Sequence, residues 1–189
     1  MSRLIGPKEL RRAVEKETFL KNGTSACVEG IKYDFRFNGV FLKAQHGKEA
    51  HVDDYKGTAD NESISIRPGE TVFLLTTETL DLPHNIKAEL SHKRKIAHLG
   101  LLLLGGFCVD PRYKGPLVFG VYNFSAKKFT LDAGRKLIAA QFYELSAEEY
   151  EGLDEEERPD ALNGFPDDVH LILPHLEGIS NDALKSLGI

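Results

Sequence analysis

Apolar and polar positions change rhythm twice along this chain. In PKELRRAVEKETFL, residues 7–20, Leu10, Val14 and Phe19 gather toward one side of a helical projection, with Pro7 in the first turn. The spacing predicts a short amphipathic helix, stopped by Asn22-Gly23. From Val28 to about Leu145 the period drops to two. IKYDFRFNGVFLKA alternates through Tyr33, Phe35 and Phe37, and Asn38-Gly39 reads as a turn dipeptide. Residues 45–63 are polar and read as a loop holding at most one short strand. ISIRPGETVFLLTTETLDLP reads as strand, Pro-Gly turn, strand, and IKAELSH as a further strand. KKFTLDAGRKLIAAQFYEL reads as two strands joined by Asp132-Ala133-Gly134. Many short strands with regular turns predict an all-β barrel or sandwich.

After Leu145 the composition shifts. SAEEYEGLDEEERPD, residues 146–160, holds eight acids against one Arg and reads as a solvated helix or loop. VHLILP, 169–174, reads as a late edge strand, and SNDALKSLGI as a final helical turn capped by Ser180 or Asn181. The expectation is one domain of 189 residues: an N-terminal helix in 1–23, a β core in 28–145 and an acidic C-terminal extension in 146–189. The net charge of −5 gives no global basic footprint for duplex nucleic acid, and no nucleic-acid partner is expected. The N-terminus has no apolar stretch of signal-peptide length, and the longest apolar run, 99–109, is too short to cross a bilayer. Two cysteines make no disulfide framework, so a cytoplasmic protein without membrane contact is expected. The seven histidines are scattered, and no metal site is predicted.

The chemically suggestive stretch is LLLLGGFCVDPRYKGPLVFGVYNFS, residues 101–125. A lone carboxylate, Asp110, stands between two apolar runs, with Tyr113 three residues on. Asp-Pro starts many turns, so Asp110 reads either as a turn residue or as a carboxylate held to orient water. LGLLLLGG alternates little and reads as a strand buried on both faces, in the subunit core or near an assembly axis. Cys108 reads as a buried, inert thiol.

The motif Val109-Asp110-x-x-Tyr113-x-Gly115, followed by Tyr122-Asn123 and Lys128-Phe129-x-Leu131-x-x-Gly134-x-x-Leu137, resembles the family that unites trimeric dUTPases with dCTP deaminases. Upstream, Gly30-Ile31-Lys32-Tyr33-Asp34, Arg67-Pro68-Gly69-Glu70 with LTTETLDLP, and Ala97-His98-Leu99-Gly100-Leu101 resemble further family segments in the same order. The resemblance implies a dUTPase-like distorted β-barrel, or β-clip, and a homotrimer with sites between subunits. It implies a deoxynucleoside triphosphate as ligand, with Mg²⁺ carried on its phosphates. It places Asp110 as the catalytic carboxylate on a hairpin and Tyr113 against the sugar. Gly106 and Phe107 would lie beside the base, and Lys93, Arg94 and Lys95 at the phosphates.

Departures from the family pattern bear on activity. Where dCTP deaminases carry a catalytic Glu, this chain has Gly120, which cannot move a proton, so deamination by that route is not expected. The family's Arg-Ser-Ser phosphate motif is replaced by Lys93-Arg94-Lys95, read either as a reshaped anion site or as an exposed basic turn. Phe107 replaces a glycine, and Ala139 stands where the family has Gln. LPHLEGISNDALKSLGI holds neither the Gly-rich, Arg-bearing arm of dUTPases nor the deaminase Tyr-Arg-Lys-Gln segment. Two functions therefore stay open: a deoxynucleoside triphosphate hydrolase releasing pyrophosphate, and a non-catalytic nucleotide-sensing or interaction protein on the same trimeric fold.

Overall fold

The computed structural model describes residues 2–45, 51–53 and 63–151. The edge strand and final helical turn expected in 169–189, and most of the acidic segment, lie outside them. Strands are β1 (Arg3–Leu4), β2 (Leu20–Lys21), β3 (Val28–Glu29), β4 (Lys32–Gln45), β5 (His51–Asp53), β6 (Ser63–Ile66) and β7 (Glu70–Asp81). They continue with β8 (Ile86–His92), β9 (Leu101–Leu104), β10 (Cys108–Val109), β11 (Lys114–Asn123), β12 (Phe129–Asp132) and β13 (Lys136–Glu144). The helices are α1 (Pro7–Glu15), α2 (Arg94–His98) and α3 (Ala147–Tyr150). Among the described residues, one curled antiparallel sheet runs β10-β8-β13-β4-β7-β11-β9, and β6 pairs with β12 apart from it. The all-β class and the short N-terminal helix are as the alternation predicts.

Helix α1 is shorter than its apolar spacing suggests. It closes in a Schellman arrangement: Thr18 N–H donates to the Ala13 carbonyl at 3.1 Å and Glu17 N–H to Val14 at 3.2 Å. Glu17 takes the left-handed conformation, φ 49°, that such a closure needs. Released from the helix, Phe19 packs on Phe142, ring centroids 5.0 Å apart, and Leu20 pairs with Leu80 of β7. Burial in the sheet outweighs the local helical period.

The Asn38-Gly39 turn is also corrected. β4 runs through it, pairing with β13 up to Arg36 and with β7 from Phe37. Asn38 faces Leu75 and Phe41 faces Leu74, so Gly39 and Val40 form a bulge rather than a reversal. A partner strand long enough to accept both halves of β4 removes the need to turn back.

Tyr33, Phe35 and Phe37 point into the core, as the alternation requires. Beside them lies Glu78, with no exposed surface. Its carboxylate accepts from Arg36 Nε at 2.7 Å, the Arg36 backbone N–H at 2.8 Å and the Tyr33 hydroxyl at 3.1 Å. Arg36 also donates to the Asn22 carbonyl at 2.6 Å, tying the N-terminal turn to the sheet. Asn123, equally buried, donates to the Ile66 and Lys127 carbonyls and accepts from Ser125, which joins β11 to β6.

β9 departs from expectation. Leu101 is buried, but Leu102 is 49% and Leu104 38% exposed, because β9 is the last strand of the sheet and only its inner face is covered.

Glu78→Ala leaves the guanidinium and phenol of this network without their acceptor. It is expected to lower unfolding free energy by about 3 kcal/mol, read from the urea midpoint; an unchanged midpoint would refute the role given to Glu78.

Candidate functional site

The segment carrying Asp110 is not the hairpin that was expected. β9 and β11 pair with each other, Leu104 opposite Gly120 and Leu101 opposite Asn123. Between them residues 105–113 leave the ladder and cross to β8, where Cys108 faces Glu89 and Val109 faces Ala88. Leu90 N–H donates to the Phe107 carbonyl at 2.7 Å. A two-strand hairpin would have paired β10 with β11; here the neighbours are β8 for one and β7 and β9 for the other. The edge of β8, rather than a hairpin ladder, holds this excursion.

Gly106, Phe107, Asp110 and Tyr113 all lie on that excursion. Phe107 is 60% exposed, and the Asp110 carboxylate is exposed. Arg112, at φ 69°, makes the turn that returns Tyr113 N–H to the Asp110 carbonyl at 3.3 Å. The Tyr113 ring packs against the core and its hydroxyl donates to the Pro116 carbonyl at 2.6 Å. Burial raises the phenol's pKa, so it stays protonated. Its ring, not its hydroxyl, is what Tyr113 can offer a ligand. Cys108 is exposed rather than buried, with Sγ 4.0 Å from Asp110 Oδ1. Partial desolvation and then the Asp110 charge push the thiol pKa up, which keeps it an unreactive thiol.

The basic triplet divides. Lys93 caps α2, and its Nζ contacts Asp34 and lies 3.0 Å from Glu29. Asp34 is buried, on the face of β4 opposite Tyr33 and Phe35. Burial alone would lower the Lys93 pKa; the hydrogen bonds to Asp34 and Glu29 overcome it and hold the ammonium charged. Arg94 and Lys95 are exposed and, among the described residues, form no ion pair. A cleft of about 790 Å³ opens here, lined among others by Glu29, Asp34, Lys93, Arg94, His98 and Ala139. Sequence reasoning missed Glu29 and Asp34 as Lys93's partners. The available signal was a charged residue at the centre of an alternating apolar strand.

One subunit does not bring Asp110 to the triplet. Val109 sits opposite Ala88, and Lys93, just past the end of β8, lies five residues further on, about 16 Å away at strand rise. At Gly120 the sheet is closed: a Cβ there would meet Leu104 Cβ at 3.0 Å and Phe73 Cε1 at 3.2 Å.

This curled antiparallel sheet, with an excursion bridging its two arms, is the dUTPase-like β-clip. The chain superposes on the 2′-deoxycytidine 5′-triphosphate deaminase of Agrobacterium tumefaciens with a TM-score of 0.63 at 14% identity, over 82% of this chain and 53% of that one. The family model described as dCTP deaminase-like matches residues 5–145, and the chain belongs to that family. It is 28% identical over 156 residues to a dUMP-forming dCTP deaminase of Pseudarthrobacter chlorophenolicus, covering 76% of this chain and 81% of that protein. It is 28% identical over 136 residues to a dCTP deaminase of Pyrococcus abyssi, covering 71% and 81%.

Lys93→Ala is expected to lower unfolding free energy by about 3 kcal/mol by stranding buried Asp34. Arg94→Ala and Lys95→Ala should stay within about 0.5 kcal/mol of the parent. Equal stability of all three in urea would show Lys93 to be as free as its neighbours.

Proposed function

We propose that this chain binds deoxynucleoside triphosphates and hydrolyses them to the monophosphate and pyrophosphate, without deamination. The observation that carries the reading is Gly120, which brings no carboxylate to β11 and whose Cβ position is tight against Leu104 and Phe73, while the exposed Asp110 is retained. Asp110 holds and polarises water, taking its proton as oxygen attacks phosphorus; the P–O bond between the α and β phosphates breaks and pyrophosphate leaves. Tyr113 presents its ring to the sugar. Gly106 and Phe107 lie beside the base, and the cations after β8 face the phosphates. Among the described residues no three His, Cys, Asp or Glu side chains converge on a metal position. Mg²⁺ would be carried on the phosphate oxygens of the substrate and would neutralise their charge when bound.

The distance between Asp110 and the triplet within one subunit favours a site completed by a second copy, in a homotrimer. Leu102, Leu104 and Phe124 supply an apolar face for that contact: Leu102 pairs with Tyr122 and Leu104 with Gly120, so they share one side of the sheet. A second reading, nucleotide binding without turnover, draws on the prior engagement of Lys93 by Asp34 and Glu29 and of the Tyr113 hydroxyl by Pro116.

Incubation with Mg²⁺ and each of dUTP, dCTP, dTTP, dATP and dGTP, followed by chromatography, tests both. Monophosphate is expected, falling at least about 100-fold in Asp110→Asn. Binding without product would favour the second reading, and dUTP formed from dCTP would overturn the inference from Gly120. Leu102→Asp is expected to sediment as a smaller, folded species; an unchanged trimer would remove β9 from the contact.

A further inference from the structure

Two clefts meet at Lys93, and their charges differ. The larger is mixed in charge: beside Lys32, Arg94 and Lys95 it holds Glu29 and the buried Asp34, both committed to Lys93. A phosphate entering there meets two carboxylates at close range, and like charges at such distances repel strongly where solvent is thin. The smaller, about 300 Å³, is lined by Lys93, Lys95, Ile96, Arg135 and Lys136, four cations and no acid. Among the described residues neither Lys95 nor Arg135 has an ion-pair partner. Arg135 is nevertheless well placed. It follows Gly134, whose φ of 75° makes the turn, and its carbonyl accepts from Phe37 N–H at 3.0 Å. Its guanidinium stacks 5.9 Å from the centre of the Phe129 ring. Lys136 Nζ donates to the Ala26 carbonyl at 3.0 Å, which leaves it donors to spare. A concave wall of one sign on a protein of net charge −5 concentrates anions at that spot.

We propose that this smaller cleft is the anion subsite of the protein, with Lys95 and Arg135 as the principal phosphate ligands and Lys136 beside them. The assignment rests on the reading that the ligand carries a triphosphate. It moves phosphate recognition from Lys93-Arg94-Lys95 to Lys95 with Arg135 from the turn before β13. Lys93 becomes a strut that keeps α2 against β4. Asp34 and Glu29 make the larger cleft mixed in charge, and so the poorer of the two for a phosphate. Arg135 suits the task because its planar fork can engage two phosphate oxygens at once.

The test is calorimetric titration of the full chain with inorganic triphosphate, and separately with dUTP and dCTP. It compares the parent with Lys95→Gln, Arg135→Gln, the double variant, and Lys16→Gln as a remote loss of one positive charge. Thermal melts confirm that each variant is folded. Each single substitution in the cleft should weaken triphosphate binding about tenfold and the double about a hundredfold, as expected for charge-assisted hydrogen bonds. Lys16→Gln should stay within about twofold, and the salt dependence should become shallower in the double variant. Triphosphate binding that is absent in the parent, or unchanged in folded Lys95→Gln and Arg135→Gln, overturns the subsite. Arg135-dependent binding of inorganic triphosphate with no binding of either nucleotide supports the subsite and overturns the nucleotide reading alone.

Discussion

A carboxylate with no exposed surface needs donors on both oxygens, and Glu78 organises the fold around that demand. Arg36, its own backbone amide and Tyr33 converge on Glu78 from β4, while Asn22 is drawn in through the far side of Arg36. Strand β4 must therefore lie at one register beside β7. Thr76, two residues before Glu78, donates to the Glu78 carbonyl and accepts Leu117 N–H, so the neighbouring register shift in β11 is set by the same group. Once β4 is pinned with Tyr33 and Phe35 inward, Asp34 has to face the other way, where Lys93 meets it. A structural constraint in the core thus decides which cation of the basic turn is engaged.

The site region is governed by the same accounting of partners. Lys93 resembles a phosphate ligand in sequence but spends its charge on Asp34 and Glu29. Tyr113 spends its hydroxyl on Pro116, and Gly120 spends its space on Leu104 and Phe73. What stays available among the described residues is the carboxylate of Asp110, the ring of Phe107 and the cations Lys95 and Arg135, which have no ion-pair partner there.

The apolar outer face of β9 has a related logic. An edge strand rich in leucine is a liability for an isolated subunit, and Leu102 and Leu104 leave β9 with an apolar outer face. The excursion 105–113 brings Asp110 to one edge of the sheet while the cations stay near the other end of β8.

Strand alternation through Tyr33, Phe35 and Phe37, the Pro-Gly turn before Glu70 and the register of the Val109–Gly115 motif were enough to specify the all-β class, the family resemblance and the residues Asp110 and Tyr113. These features are local: a period, a turn type or a spacing is written in neighbouring residues. The early end of α1, the bulge at Asn38-Gly39, the crossing of 105–113 to β8 and the partial exposure of β9 were decided only in three dimensions. Each depends on which distant strand offers a better partner than the local chain. The site divides in the same way. The identity of the basic triplet stands in the sequence, but Asp34 lies 59 positions from Lys93, and Arg135 lies 40 from Lys95. Electrostatic partnership follows distance in space, so only the folded sheet could determine that Lys93 is the cation engaged by Asp34 and Glu29.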